Sequence, residues 1–173
     1  MAPEVTSGGR VSFRKRLSVL EAPAPWTVVF IRLLVGGVFL SEGIQKFVYP
    51  AELGAGRFVK IGIPWPAVTG PFVATAETLC GALIIAGIGT RLAAAAMLVN
   101  ISVALVSTKV PILLGEPLGP FSLARLPRYG LFSALHEARV DLSMWLGSLF
   151  LVLTGAGRIS LDAFLPGRRG NPQ

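Results

Sequence analysis

Cysteine and histidine are almost missing from this chain, which holds one of each, Cys80 and His136, in 173 residues. A disulfide within the chain, a structural zinc site and covalent haem attachment all need more cysteine, or cysteine beside histidine. Bis-histidine haem ligation and a histidine-rich metal site need further histidines, which only a second copy of the chain would bring. No glycine-rich dinucleotide-binding loop is present either. Charge is also scarce: 14% of residues are charged, against about 25% in ordinary soluble domains.

What remains is apolar. Hydrophobic residues make up 53% of the chain and the mean hydropathy is +0.68. A soluble helix bundle would show a polar stripe on every helix, yet residues 78–90 and 92–108 carry no charge at all. Four runs are long enough to span hydrocarbon, at about 25–47, 66–87, 91–108 and 141–157. The fold expected is all-α, an integral membrane four-helix bundle in one domain, 25–165. A polar basic tail, 1–24, precedes it, and a short basic tail, 166–173, follows.

The net charge of +7 comes without a basic helix or an aromatic RNA-binding pattern, so nucleic acid is not an expected partner. Basic residues instead flank the spans. Arg10, Arg14, Lys15 and Arg16 precede the first, and Arg158, Arg168 and Arg169 follow the last, so both termini are expected on the cytoplasmic side of the membrane. The bias is thin, because Lys46, Arg57, Lys60, Lys109, Arg125, Arg128 and Arg139 fall on the opposite side. The polar leader is followed by a full-length span, so the N-terminus is expected to be retained.

Glu77 is the first functional suspect. It stands at the centre of its run with no charge within ten residues, and a carboxylate at that depth costs several kcal/mol unless protonated, paired or wetted. Cys80, three residues later, reads as inert packing. His136 sits on a short amphipathic helix, Tyr129 to Arg139, with Tyr129, Phe132 and Leu135 on one side.

Helical spacing aligns Arg32, Gly36, Phe39, Gly43 and Lys46 on the first span, and Gly70, Ala74, Glu77 and Gly81 on the second. Such small-residue stripes let helices approach closely in lipid. Counting depth along the helices puts Arg32 within reach of Glu77, and an Arg32–Glu77 ion pair is the leading expectation; as a plain structural lock it would account for Glu77 without chemistry. Glu42 stands one turn before Lys46 and can pair with it. Asn100 lies at mid-depth on the third span, which Lys109 and Pro111 are expected to end. Asp141, Ser148 and Gly155 mark the inward side of the fourth. Glu42, Lys46, Lys109 and Asp141 should therefore meet at one mouth, beside a proline-rich outer loop, 109–140.

The second span ends Gly87-Ile88-Gly89-Thr90-Arg91 and the fourth ends Gly155-Ala156-Gly157-Arg158. Two related helical hairpins would explain the likeness, and so would ordinary glycine stops followed by interfacial arginine.

The run from Arg32 through Glu42 and Lys46 to Phe47, the Glu77 helix leading to Gly87-Ile-Gly-Thr-Arg-Leu, and the closing Gly155-Ala-Gly-Arg-Ile-Ser-Leu-Asp162 together resemble the DoxX family of small bacterial membrane proteins. The resemblance covers about Trp26 to Leu165. It implies a four-helix membrane bundle tied to oxidoreductase systems: related DoxD proteins form the membrane part of thiosulfate:quinone oxidoreductase, and DoxX-like proteins partner redox enzymes. By motif match it carries over Arg32, Glu42, Lys46, Glu77, Arg158 and Asp162 as recurring polar residues. No segment resembles the accessory thiosulfate-oxidising subunit, so independent thiosulfate chemistry is not expected.

Three functional readings follow. The first is a quinone-interacting subunit of a membrane oxidoreductase, with Glu77 as the proton-handling group and Arg32, Glu42, Lys46, Asn100, Lys109 and Asp141 around the ligand. In that reading a quinone is the cofactor to look for, and electrons come from a partner redox protein or a bound flavin. The second is a membrane anchor or assembly factor for redox or stress-response enzymes, with no chemistry of its own. The third is a small transporter or lipid-binding bundle. Membrane lipid and a redox subunit are the expected partners, and a homo-oligomer is left open.

Overall fold

A computed structural model describes residues 25–164. The two basic tails lie outside the described residues, as do Arg10, Arg14, Lys15, Arg16, Arg168 and Arg169. Among the described residues six helices follow one another: α1 (Val28–Val48), α2 (Ala55–Ile61), α3 (Pro66–Ala86), α4 (Thr90–Leu114), α5 (Leu131–Thr154) and α6 (Leu161–Phe164). Among the described residues there is no strand. The protein is an all-α membrane four-helix bundle, built from α1, α3, α4 and α5.

Three of these helices, α1, α3 and α4, are long and apolar enough to cross a membrane. The fourth, α5, is 24 residues long, with His136, Glu137, Arg139 and Asp141 gathered in its first half and an uncharged stretch from Leu142 to Thr154. Leu92, Phe72 and Phe132 are largely exposed, as side chains facing hydrocarbon are free to be.

Helix ends follow local sequence closely. Pro66 opens α3, where its missing N–H costs nothing. Gly87 closes it at φ +76, donating its N–H to Leu83 O at 2.8 Å, a left-handed turn that glycine alone takes without penalty. Gly89 then starts α4, so two glycines reverse the chain within three residues.

The four long helices pack as two hairpins. α1 lies against α3, and α4 against α5, more extensively than any other pair; α3 also touches α4, and α1 touches α5. The α1–α3 seam is made by the two small-residue stripes. A Cβ on Gly43 would fall 2.6 Å from Thr78 N, and one on Gly81 would fall 2.6 Å from Leu40 N. Backbones this close gain dispersion contact, the main attraction left when lipid is as apolar as the helix surface. Where the four helices meet, Val35, Ile84, Met97, Met144 and Leu151 form a closed core.

The connection between α1 and α3 holds the short helix α2, which is not among the elements expected from sequence. Two expectations need correcting. The third span does not stop at Pro111: α4 runs to Leu114 with Pro111 fully buried inside it, since proline's φ suits a helix and only one backbone bond is forgone. The amphipathic segment from Tyr129 to Arg139 is not separate. It forms the first turns of α5, which begins after Gly130 and continues through Asp141, because no breaker stands between Arg139 and Leu142.

Candidate functional site

Glu77 is 5% exposed and sits on the buried stripe of α3 with Gly70, Ala74 and Gly81. Both of its carboxylate oxygens are engaged. Lys46 Nζ donates to Oε2 at 2.6 Å, and Asn100 Nδ2 donates to Oε1 at 2.8 Å. Lys46 also donates to Glu42 Oε2 at 3.3 Å. One buried carboxylate thus ties α1, α3 and α4 together, and its charge is matched by a lysine drawn inward from the end of α1.

The expected Arg32–Glu77 pair does not form. Arg32, 2% exposed, turns to the other end of the bundle. Its Nε donates to Ile84 O at 2.8 Å, Nη2 to Ile85 O at 2.5 Å and Nη1 to Ala156 O at 3.0 Å, with Ile159 O as a further acceptor. The reason is directional. Helical side chains lean toward their own N-terminus, so Arg32 leans toward the last turn of the antiparallel α3, where carbonyls lack intrahelical partners and a cation is favoured. The same lean carries Lys46, about 21 Å further along α1, back into the bundle and onto Glu77.

A second ion pair joins the other hairpin: Lys109 Nζ lies 3.1 Å from Asp141 Oδ2. Glu42, Lys46, Glu77, Asn100, Lys109 and Asp141 all line one cavity of about 410 Å³, whose remaining wall is mostly apolar, including Phe39, Phe72, Val103 and Met144. The structure brings together six of the seven residues named from sequence. Arg32 is the one it leaves out. Arg57 and Phe58 of α2 complete the cavity from above; sequence reasoning had counted Arg57 only as a loop charge, and nothing in a seven-residue helix signalled its position.

The two hairpins repeat the same set of contacts. In each, a lysine late in the first helix meets a carboxylate on the second, and an arginine early in the first reaches carbonyls near the end of the second. Arg91 Nη2 donates to Leu153 O at 3.2 Å, as Arg32 does to Ile84 and Ile85. Gly87 packs against the Arg32 guanidinium, and Gly155 against that of Arg91. The second hairpin is about one turn longer, its helices having 25 and 24 residues against 21 and 21.

The Asp162 end of the closing motif has a local job. Asp162 Oδ2 accepts the Gly89 N–H at 2.9 Å, capping the start of α4, whereas Arg158 is exposed.

A family profile described as DoxX matches residues 27–110, the whole of the first hairpin and most of α4. An uncharacterized membrane protein of Mycobacterium tuberculosis, Rv3486, is 45% identical over 150 residues, which is 87% of this chain and 88% of the relative. This chain belongs to the DoxX family. No solved structure matches it significantly. The profile takes in Arg32, Glu42, Lys46, Glu77, Asn100 and Lys109, so the DoxX match covers one complete ion-pair hairpin and the lysine of the other. Asp141 lies beyond the profile but within a chain of which the mycobacterial relative covers most.

Proposed function

We propose that this DoxX-family protein is the quinone-binding subunit of a membrane oxidoreductase system. One observation carries the reading: a cavity of about 410 Å³ in which an apolar wall surrounds the Lys46–Glu77–Asn100 cluster. A quinone asks for an apolar slot, hydrogen-bond donors for its carbonyl oxygens and a group that can hold a proton. Lys46, Asn100 and Lys109 supply the donors, and Glu77 supplies the carboxylate. When bound, a quinone carries electron pairs and protons between a membrane-associated donor and the rest of a respiratory chain. Asn100 and Lys46 orient the head; Glu77 holds or returns a proton; the core below excludes water. The electron donor is a partner redox subunit. The domain runs from 25 to 165 in a bacterial plasma membrane, with both termini and the two glycine turns on the cytoplasmic side and α2 on the other.

A second reading rests on a specific observation: every polar atom of Glu77 is already satisfied within the protein. A fully paired cluster also serves an anchor whose buried charges only fix the helices. To separate the two, the protein is purified in mild detergent from its own membrane beside Glu77→Gln, and quinone in the lipid extract is quantified by mass spectrometry. Stoichiometric quinone lost in the variant is the expected result. Quinone at membrane background in both proteins would leave the anchor reading standing.

A further inference from the structure

The cavity is closed at both ends and open at its side. Toward the loops, α2 and the segment after Pro117 form a lid. Phe58 is buried there, Ser122 N–H donates to Ile61 O at 2.8 Å, and Gly62, at φ +90, packs so tightly on Pro120 that a Cβ would fall 1.8 Å from its carbonyl oxygen. Toward the glycine turns, the packed core around Val35, Ile84 and Met97 blocks passage.

The seam between α3 and α4 is different. Phe72 on α3 and Val103 on α4 both line the cavity, and they are 70% and 53% exposed. Residues that face the cavity and the hydrocarbon at once mark where the two are continuous. Below them the Glu77–Asn100 hydrogen bond crosses the same seam and closes it. Between α1 and α5 close packing shuts only the deeper part of the seam, where a Cβ on Gly147 would meet Val35 at 2.5 Å and Phe39 and Met144 are buried; nearer the loops the exposed Val140 and the half-exposed Glu42 side chain line the cavity, a polar-edged opening unlike the apolar one between Phe72 and Val103.

We infer that the ligand reaches this site sideways from the lipid, between α3 and α4 past Phe72 and Val103, with its head at Glu77 and Asn100 and its tail left in the hydrocarbon. This rests on the quinone reading and sharpens it: the substrate class is a quinone with a long apolar tail, partitioned in the bilayer, and Val103 and Phe72 determine its access. A bulky side chain at the portal obstructs passage. The tail also gains by never leaving an apolar phase, so tail length adds little to the affinity at the head.

The test uses the full chain in lipid nanodiscs with two probes: an isoprenoid-tailed benzoquinone carrying a diazirine in its tail, and the same quinone without the tail. The unmodified protein is expected to be photolabelled at Phe72, Val103 or their α3 and α4 neighbours. Val103→Trp is expected to slow association of the tailed probe about tenfold, an effect on rate rather than on contacts at the head, and to slow the tail-less probe markedly less. Labelling around Val140 or on α2, or an unchanged rate in a folded Val103→Trp, overturns the lateral route while leaving quinone binding intact. The labelling arm needs no variant, so a misfolded one does not hide the answer. Failure of both probes to bind the unmodified protein removes the quinone reading, and the route falls with it.

Discussion

Lys46 Nζ lies 2.6 Å from Glu77 Oε2, so a lysine near the end of α1 neutralises a carboxylate in the middle of α3. Removing one partner leaves the other as a buried, unmatched charge, at a cost of about 3–5 kcal/mol; removing both leaves only packing to lose. Lys46→Met and Glu77→Leu are each expected to lower the detergent unfolding temperature more than the double replacement does. Additive losses in a double-mutant cycle would show that the two are not coupled.

Arg32 is expected to behave otherwise. Its guanidinium serves four backbone carbonyls on α3 and the segment after α5, and each lost bond to a charged donor is worth about 1.5–3 kcal/mol. Arg32→Leu should destabilise the fold by about 3 kcal/mol or more, with no coupling to Glu77→Leu. Arg32→Lys should recover only part, since a lysine lacks the planar fork that reaches several acceptors together. Unfolding in a denaturing-detergent titration measures both.

Gly43 is in contact with the backbone of α3 itself, at Thr78 N and Ala74 O. A backbone neighbour has little room to give, so Gly43→Ala should cost about 1–3 kcal/mol. Gly37, on the same helix with nothing within 4 Å of its added Cβ, should accept alanine without loss and serves as the matched control in the same assay.

Lys109 and Asp141 keep more contact with their surroundings outside the protein than Lys46 and Glu77 do, with side chains 17% and 25% exposed against 10% and 7%. Lys109→Met is therefore expected to destabilise less than Lys46→Met, because partial solvation already weakens the pair. Equal losses in the two variants would contradict that ordering.

Much of this was legible beforehand. Periodicity placed Arg32, Gly36, Phe39 and Gly43 on the buried side of α1, and Gly70, Ala74, Glu77 and Gly81 on that of α3, because in a helix three- and four-residue spacing is itself geometry. Gly87 and Gly155 announced their helix ends through the left-handed turn they permit. The partner of Glu77 was missed because depth alone was weighed; the lean of side chains toward the helix N-terminus, which sends Arg32 one way and Lys46 the other, was not. α2 and the long start of α5 escaped for another reason. Their form depends on packing against α3 and α4, which a short run such as Ala55–Ile61 does not encode by itself.

The one-turn difference between the hairpins gives the site a direction. Two identical hairpins related by an axis along the membrane normal would wrap a cavity that looks the same from either half, and a ligand would have two equivalent ways to lie in it. Here the shorter half contributes the deeper pair, Lys46 and Glu77, while the longer half contributes Asn100 and the shallower pair, Lys109 and Asp141. The halves are thus unlike where it matters, and a molecule bound there would have one heads-up pose instead of two. Joining both hairpins in a single polypeptide is what allows that handed, non-interchangeable arrangement, which a pair of separate, identical subunits could not hold.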